Sequence, residues 1–350
     1  MMKISKTSAL LAAAASVAVV LATAGSALAG GAAAPAGAHV SGQVAPQGVL
    51  QGTGVFRTPT AMLTVGPNVL VASQGASGVN GWVNVIDTST QQVSTLASGA
   101  YHFVEPEGIA SDGANVWVAN AGNNTVTRIK GPSLQYDTVL SGSPYNFSHP
   151  GGIATNGVDL WVANEDNDTV TQIDLHTGAV TILSGSSYGF DAPGNIAIAG
   201  NSLWVANPGN STVTEINMET GTPTILSGSS YGFSDPTQII TVGSDLWVTN
   251  KTGNSLTEIN ALTGAAVQVI SSPSGYAFDA PWGMASNGTN LWVTNSGNNT
   301  VTELDVATGT LAGIIAGPGY QFSGSIGAAF DGDNVWVSNS AGNSVTYFSA

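Results

Sequence analysis

Tryptophan recurs at positions 117, 161, 204, 247, 292 and 336, at spacings of 44, 43, 43, 45 and 44 residues. A chain with that period is built by stacking one small unit many times, because no single unit of this size buries both of its faces. Each Trp sits in a copy of L/V-W-V-x-N, such as NVWVAN, DLWVAN and NLWVTN. Around it the unit runs as Tyr-x-Phe, a polar stretch often ending in Pro, an apolar segment, a Gly-containing turn, the Trp segment, and a Gly-Asn turn. It then continues as T/S-V/L-T-x-I/L and, after a T-G pair, ends in a last apolar segment. Four runs of about 4 to 6 residues, each closed by Gly, Asn or Asp, read as four antiparallel strands. Repeats of this length with four strands each predict an all-β fold, a β-propeller of four-stranded antiparallel blades.

Tryptophan alone counts six blades, and a seventh copy stands ahead of them. AMLTVGPNVLVASQG, residues 61–75, matches the axial strand, turn and second strand, with Leu70 where Trp stands elsewhere. The last copy stops after SVTYFSA with three strands, while VLQGTGVFRTP, residues 49–59, aligns with the fourth strand and crossing ILSGSSYGFDAP, residues 182–193. The N-terminal strand is therefore expected to complete the last blade and close a ring of seven, leaving no open edge there.

Before the repeat, Lys3 and Lys6 precede the run LLAAAASVAVVLATAG and then Ala27-Leu28-Ala29. Basic, apolar and small residues in that order predict a signal peptide over 1–29, cleaved after Ala29, and hence a secreted, periplasmic or cell-envelope location. The apolar run is short for a membrane span, so no stable span is expected after cleavage. Residues 30–44 read as a flexible leader and 45–350 as the propeller. The 350 residues hold 6 Lys+Arg against 21 Asp+Glu, a formal charge of −15, which argues against nucleic acid as a partner. With no Cys, disulfides, thiolate metal sites and cysteine nucleophiles are excluded.

Most repeated side chains are expected to serve architecture. The six Trp read as wedges between blades, the Tyr-x-Phe pairs as packing in the crossings, and the Asn at 120, 164, 207, 250, 295 and 339 as Asx caps of their own turns. Function is sought where the repeat breaks, in the crossings between blades, which share a face with the turns between second and third strands. That ring carries Arg57, Glu105, Glu107, His149, Asp191, Asp235, Asp279 and the non-repeated Trp282, with Glu165, Asp166 and Asp168 on the same face. Trp282, Arg57, Glu107, Asp191, Asp235 and Asp279 are candidate ligand-binding residues, with Trp282 either an exposed aromatic floor or a packed plug. Glu105, Asp191, Asp235 and Asp279 are candidates for holding Ca²⁺ or Mg²⁺, hard cations that take carboxylate oxygens. His149, Glu105 and Glu107 are the candidates for acid–base catalysis.

The cadence of PGGIATNGVDLWVANEDNDTVTQIDLHTG, residues 150–178, resembles the extracytoplasmic NHL and YVTN-type propeller superfamily, including streptogramin B lyase-like proteins. The resemblance covers roughly residues 45–350. It implies, for the lyases, His and Glu side chains near a Mg²⁺ on the channel face, which here would be His149, Glu105 and Glu107. Related sugar-lactone hydrolases imply a metal held by Glu, Asn and Asp. The leading expectation is an exported non-catalytic scaffold that binds a protein, an envelope polymer or a small ligand through its channel-face loops. The alternative is a metal-dependent lyase or hydrolase at the channel mouth, and a third is a structural spacer in a wall or matrix. The acidic surface favours a cationic or metal-bridged ligand.

Overall fold

The computed structural model describes residues 46–52, 55–75, 80–131 and 133–350. The expected signal peptide and leader lie outside these residues. Seven four-stranded sheets follow one another along the chain, each ordered from the inside outward. Their innermost strands are Pro59–Val65, Pro106–Ser111, Pro150–Thr155, Ile196–Ala199, Pro236–Val242, Pro281–Ser286 and Ser325–Phe330, for blades 1 to 7. The outer strand of blade 7 is Pro46–Gln51, which pairs antiparallel with Ser344–Ser349 in the register Val49↔Thr346 and Leu50↔Val345. The ring is thus closed by chain ends that lie about 300 residues apart in sequence.

The six repeated Trp are at most 2% exposed and fill the seams between blades. Trp117 of blade 2 belongs to the same buried cluster as Ile153 and Leu160 of blade 3, and Trp204 of blade 4 to that of Ile239 and Leu246 of blade 5. Each Tyr stacks on the Phe two residues later, as Tyr145 on Phe147 with centroids 5.2 Å apart. The Tyr188 hydroxyl then donates to the carbonyl of Gly221, and Tyr231 to Gly264, pinning these two crossings to the next blade's outer turn.

The repeated Asn residues do not cap their own turns. Asn164 Nδ2 donates to Thr169 Oγ1 at 3.0 Å and Thr171 Oγ1 at 2.9 Å, and Thr171 in turn donates to the carbonyl of Tyr145 at 2.7 Å. The carboxamide therefore links the second strand, the third strand and the incoming crossing, a use open to it because Thr recurs at alternate positions of the third strand. In blades 2, 3, 5 and 6 the residue paired with this Asn is Pro, which has no N–H to give, and the Asn Oδ1 is buried without a partner. In blade 7 the paired residue is Ser325, and its hydroxyl donates to Asn339 Oδ1 at 2.9 Å.

Adjacent inner strands approach so closely that a Cβ on Gly152 would collide with the Gly194 carbonyl, and one on Gly283 with that of Ile326. Blades 4 and 5 carry Asn195 and Gln238 at the same position of the unit. Their side-chain oxygens span the seam to the next inner strand, accepting from Ile239 N (3.0 Å) and Met284 N respectively.

Candidate functional site

The mouth is formed where each crossing meets the turn between second and third strands of its own blade. Backbone bonds join the two all round the ring: Gln74 N to Thr58 O, Glu165 N to His149 O, Lys251 N to Asp235 O and Ser296 N to Ala280 O, at 3.0–3.2 Å. The residue that ends every crossing is left-handed: Thr58, Glu105, His149, Ala192, Asp235, Ala280 and Gly324 have φ between 47° and 59°. For non-glycine residues this conformation costs about 1–2 kcal/mol each, so something must hold it. In six of the seven, the holder is the polar side chain that closes the preceding blade's turn, as where Asn124 Oδ1 accepts from His149 N at 2.8 Å. Asp168 does the same for Ala192 at 2.8 Å, so this acid of the NEDND turn is a clamp between blades.

His149 is thereby fixed at the mouth with its imidazole facing Glu107 of the neighbouring blade. His149 Nε2 lies 3.7 Å from Glu107 Oε1 and 3.8 Å from Glu165 Oε2. These are charge contacts longer than hydrogen bonds. The Glu107 side chain is 1% exposed and that of His149 33%, so the carboxylate stands behind the imidazole. Gln74 of blade 1 donates from Nε2 to Glu107 Oε1 at 2.9 Å, while Oε2 is buried with no partner. Burial pushes the Glu107 carboxyl up to about 7, against the opposing pull of His149. The facing Glu107 carboxylate raises His149 to about 9, overcoming the effect of its own partial burial, with Glu165 and Asp166 adding to the rise. Glu165 is also raised, by burial, with Asp166 adding and His149 opposing. Between about pH 7 and 9 the arrangement is an imidazolium backed by a buried carboxylate, with the more accessible Glu165 beside it.

Of the acid–base candidates, His149 and Glu107 meet, and Glu105 instead lies against the turn at Gly122. Asp191 packs against Gly209 and Asp279 against Gly297, each in its own blade, and Asp235 has its backbone N–H on Ser211 Oγ at 3.3 Å. Arg57 is exposed, and its carbonyl accepts from Gly75 N. Trp282 is 5% exposed, with Lys251 Nζ 4.1 Å from its ring centroid, so a ligand arriving there meets the ammonium with the indole beneath it. Among the described residues no group of three or more His, Asp or Glu side chains is arranged to hold a metal ion, so Glu105, Asp191, Asp235 and Asp279 are not brought together as a cation site.

Gln74 and Lys251 went unnoticed in the sequence. Both occupy the position just after the second strand, where the other blades carry Ala121, Glu165, Pro208, Ser296 and Ser340. Comparing that one column across the seven copies, rather than only the crossings, exposes them.

No family model matches the chain, and no curated protein matches it. Solved structures do. A catalytically inactive virginiamycin B lyase from Staphylococcus aureus with quinupristin superposes with a TM-score of 0.70 at 20% identity, covering 87% of this chain and 98% of that one. A streptogramin B lyase gives 0.69 at 17% identity, covering 86% and 96%. The chain folds as the streptogramin B lyases fold. The likeness is one of architecture, since a hydrazine synthase from Kuenenia stuttgartiensis matches at a TM-score of 0.64 and 18% identity over 90% of this chain and 99% of that one.

Proposed function

We propose that this chain is an enzyme of the lyase or hydrolase class, working at the channel mouth by proton transfer through His149 and Glu165, with Glu107 holding the charge on His149. The observation that carries the reading is Glu107, a carboxylate 1% exposed, held by Gln74 and set 3.7 Å behind a part-exposed imidazole. The other blades place Thr60, Gly151, Gly194, Thr237, Trp282 and Ile326 at its position, so the fold has no need of an acid there. A buried charge costs several kcal/mol, and such groups concentrate at functional sites. The fold shared with streptogramin B lyases supports the same reading.

In an elimination, the Glu165 carboxylate takes a proton from a substrate carbon, and the C–H electron pair becomes a double bond. The bond to the leaving group breaks with its own pair, which accepts the proton of the His149 imidazolium. Glu165 then returns its proton to His149, whose Nε2 is 3.8 Å away, and the site is restored. Glu107 takes no part in bond breaking and keeps His149 charged until the leaving group departs. Positioned acid–base pairs of this kind contribute about 10²–10⁴-fold. In a hydrolysis the Glu165 carboxylate takes the proton of the attacking water as its oxygen bonds to the substrate, the His149 imidazolium gives its proton to the leaving group, and Glu165 then returns its proton to His149.

Export belongs to this reading and is supported by the basic, apolar and Ala27-Leu28-Ala29 order of the N-terminus. No helix among the described residues is long and apolar enough to cross a membrane. A non-catalytic binding role for a protein, envelope polymer or small ligand is the second reading, favoured by the depth of Glu107, whose Oε2 is buried.

The test is incubation of the mature protein with quinupristin, followed by chromatography of the remaining substrate. Enzymatic loss that falls about 100-fold or more in His149→Ala supports the proposal. Loss that persists unchanged in both His149→Ala and Glu165→Gln overturns the assignment of these residues. Saturable binding with no turnover moves the conclusion to the scaffold.

A further inference from the structure

At the end of the axial strands away from the mouth lies a cavity of about 370 Å³. It is bounded by the inner strands of blades 5, 6, 7 and 1 and the turns that follow those of blades 5 and 6. Met62, Leu63, Ile240, Val242, Ala285, Ala328, Ala329 and Phe330 supply its apolar side chains, and no charged residue lines it, although the chain carries a formal −15. Four side chains in the wall bear polar atoms. Thr64 Oγ1 donates to the carbonyl of Phe330 at 2.9 Å, Thr241 Oγ1 to that of Ile198 at 3.0 Å and Ser286 Oγ to that of Asn290 at 2.7 Å. Asn287 Oδ1 accepts from Thr289 N and Asn290 N at its own turn. The hydroxyl protons are therefore spent on backbone carbonyls and the carboxamide oxygen on backbone amides.

We infer that this cavity is a second binding site, distinct from the His149 mouth, for a small, uncharged and largely hydrocarbon molecule. An anion would enter a field of its own sign, and a cation would find no carboxylate in the wall. The volume falls within the range of small-molecule sites, and an apolar occupant gains from every part of the wall it covers. The site depends on nothing assigned to the mouth.

The probe is N-phenyl-1-naphthylamine, neutral and fluorescent when removed from water. Titration of the full chain is expected to saturate at one molecule per chain with a blue-shifted emission. Ala328→Phe and Ala285→Leu, which fill the cavity from two blades, are each expected to weaken binding about tenfold or more, while Glu107→Gln at the mouth leaves it unchanged. In the unsubstituted protein, the ¹³C-methyl resonance of Met62 in the wall should move with added probe, and that of Met218, in blade 4's outer turn, should not. The inference is overturned by absence of saturable binding, by binding that both filling variants retain while melting normally, or by a Met62 resonance that stays still. It is equally overturned by a dimer that forms in the absence of probe and is lost in Ala328→Phe, which would give the cavity to a second copy of the chain.

Discussion

His149 combines three features that its sequence neighbours lack: a left-handed backbone, a clamp from the preceding blade and a buried counter-charge. Each can be removed separately. Glu107→Gln keeps the shape and the packing against Gln74 but discards the charge. The His149 titration followed by NMR should then fall from about 9 toward the ordinary 6.5, since the facing carboxylate is the main cause of the rise. With the native pair, activity should rise as Glu107 ionises near pH 7 and decline as His149 loses its proton near pH 9, and Glu107→Gln should bring the alkaline limb down with the imidazole. Asn124→Ala removes the acceptor for His149 N and puts Ala at φ 57°, so denaturant titration should show a loss of about 1–3 kcal/mol. These residues were only half visible beforehand. His149 and Glu107 stood out as departures from the repeat, but their meeting needs the crossing of blade 3 to lie over the inner strand of blade 2, which no local pattern encodes. Gln74, 33 residues before Glu107, was hidden for the same reason.

Among the structural elements, the blade was legible almost strand by strand, because every signal that shapes it falls inside one repeat of 43–45 residues. The Trp segment, the left-handed turn after it and the T-G turn are short-range features, and strand pairing within a blade joins neighbours in sequence. The seams between blades were less legible. Trp204→Ala should cost about 3–5 kcal/mol by chemical denaturation, since the emptied seam is shared with Ile239 and Leu246 and cannot collapse from one side. Gly152→Ala should destabilise by a similar or larger amount, because the added methyl meets a backbone carbonyl rather than a yielding side chain. The expectation that the repeated Asn cap their own turns failed on this point: a carboxamide facing two threonines across a hairpin finds two acceptors there for its N–H groups, while its oxygen is left buried without a partner.

The whole molecule is a closed ring with an excess of acid, and its stability should follow pH accordingly. Glu107, Glu165, Glu258 and Glu303 are all raised chiefly by burial, so the native state holds their protons more tightly than the unfolded chain does. Their contribution is present below about 4.5 and is lost as pH rises, through about 7 for Glu107. His149 acts in the same direction, its share present below 6.5 and lost as pH rises through about 9. Asp87 and Asp174 are lowered by hydrogen bonds within their turns and oppose this only at strongly acid pH, through about 2 for Asp87. Melting followed by circular dichroism should therefore give a higher Tm at pH 5 than at pH 9, and Glu107→Gln should flatten the change between pH 5 and 8. Removing the segment through Gln51 should lower Tm and produce association on size-exclusion chromatography, because Ser344–Ser349 becomes an unpaired edge.

By itself the sequence determined the blade, the number of copies and the pairing of the first strand with the last, since each is written in a pattern that recurs within one unit or is missing from one end. Only the tertiary structure decided which of the irregular residues work together. Gln74, Glu107, His149 and Glu165 come from three successive blades, and carboxylates equally irregular in sequence, such as Asp191 and Asp279, turn back on their own blades instead. The reason is physical: burial, and with it the protonation of Glu107, is a property of the seam between two blades, and a seam exists only after the ring has closed.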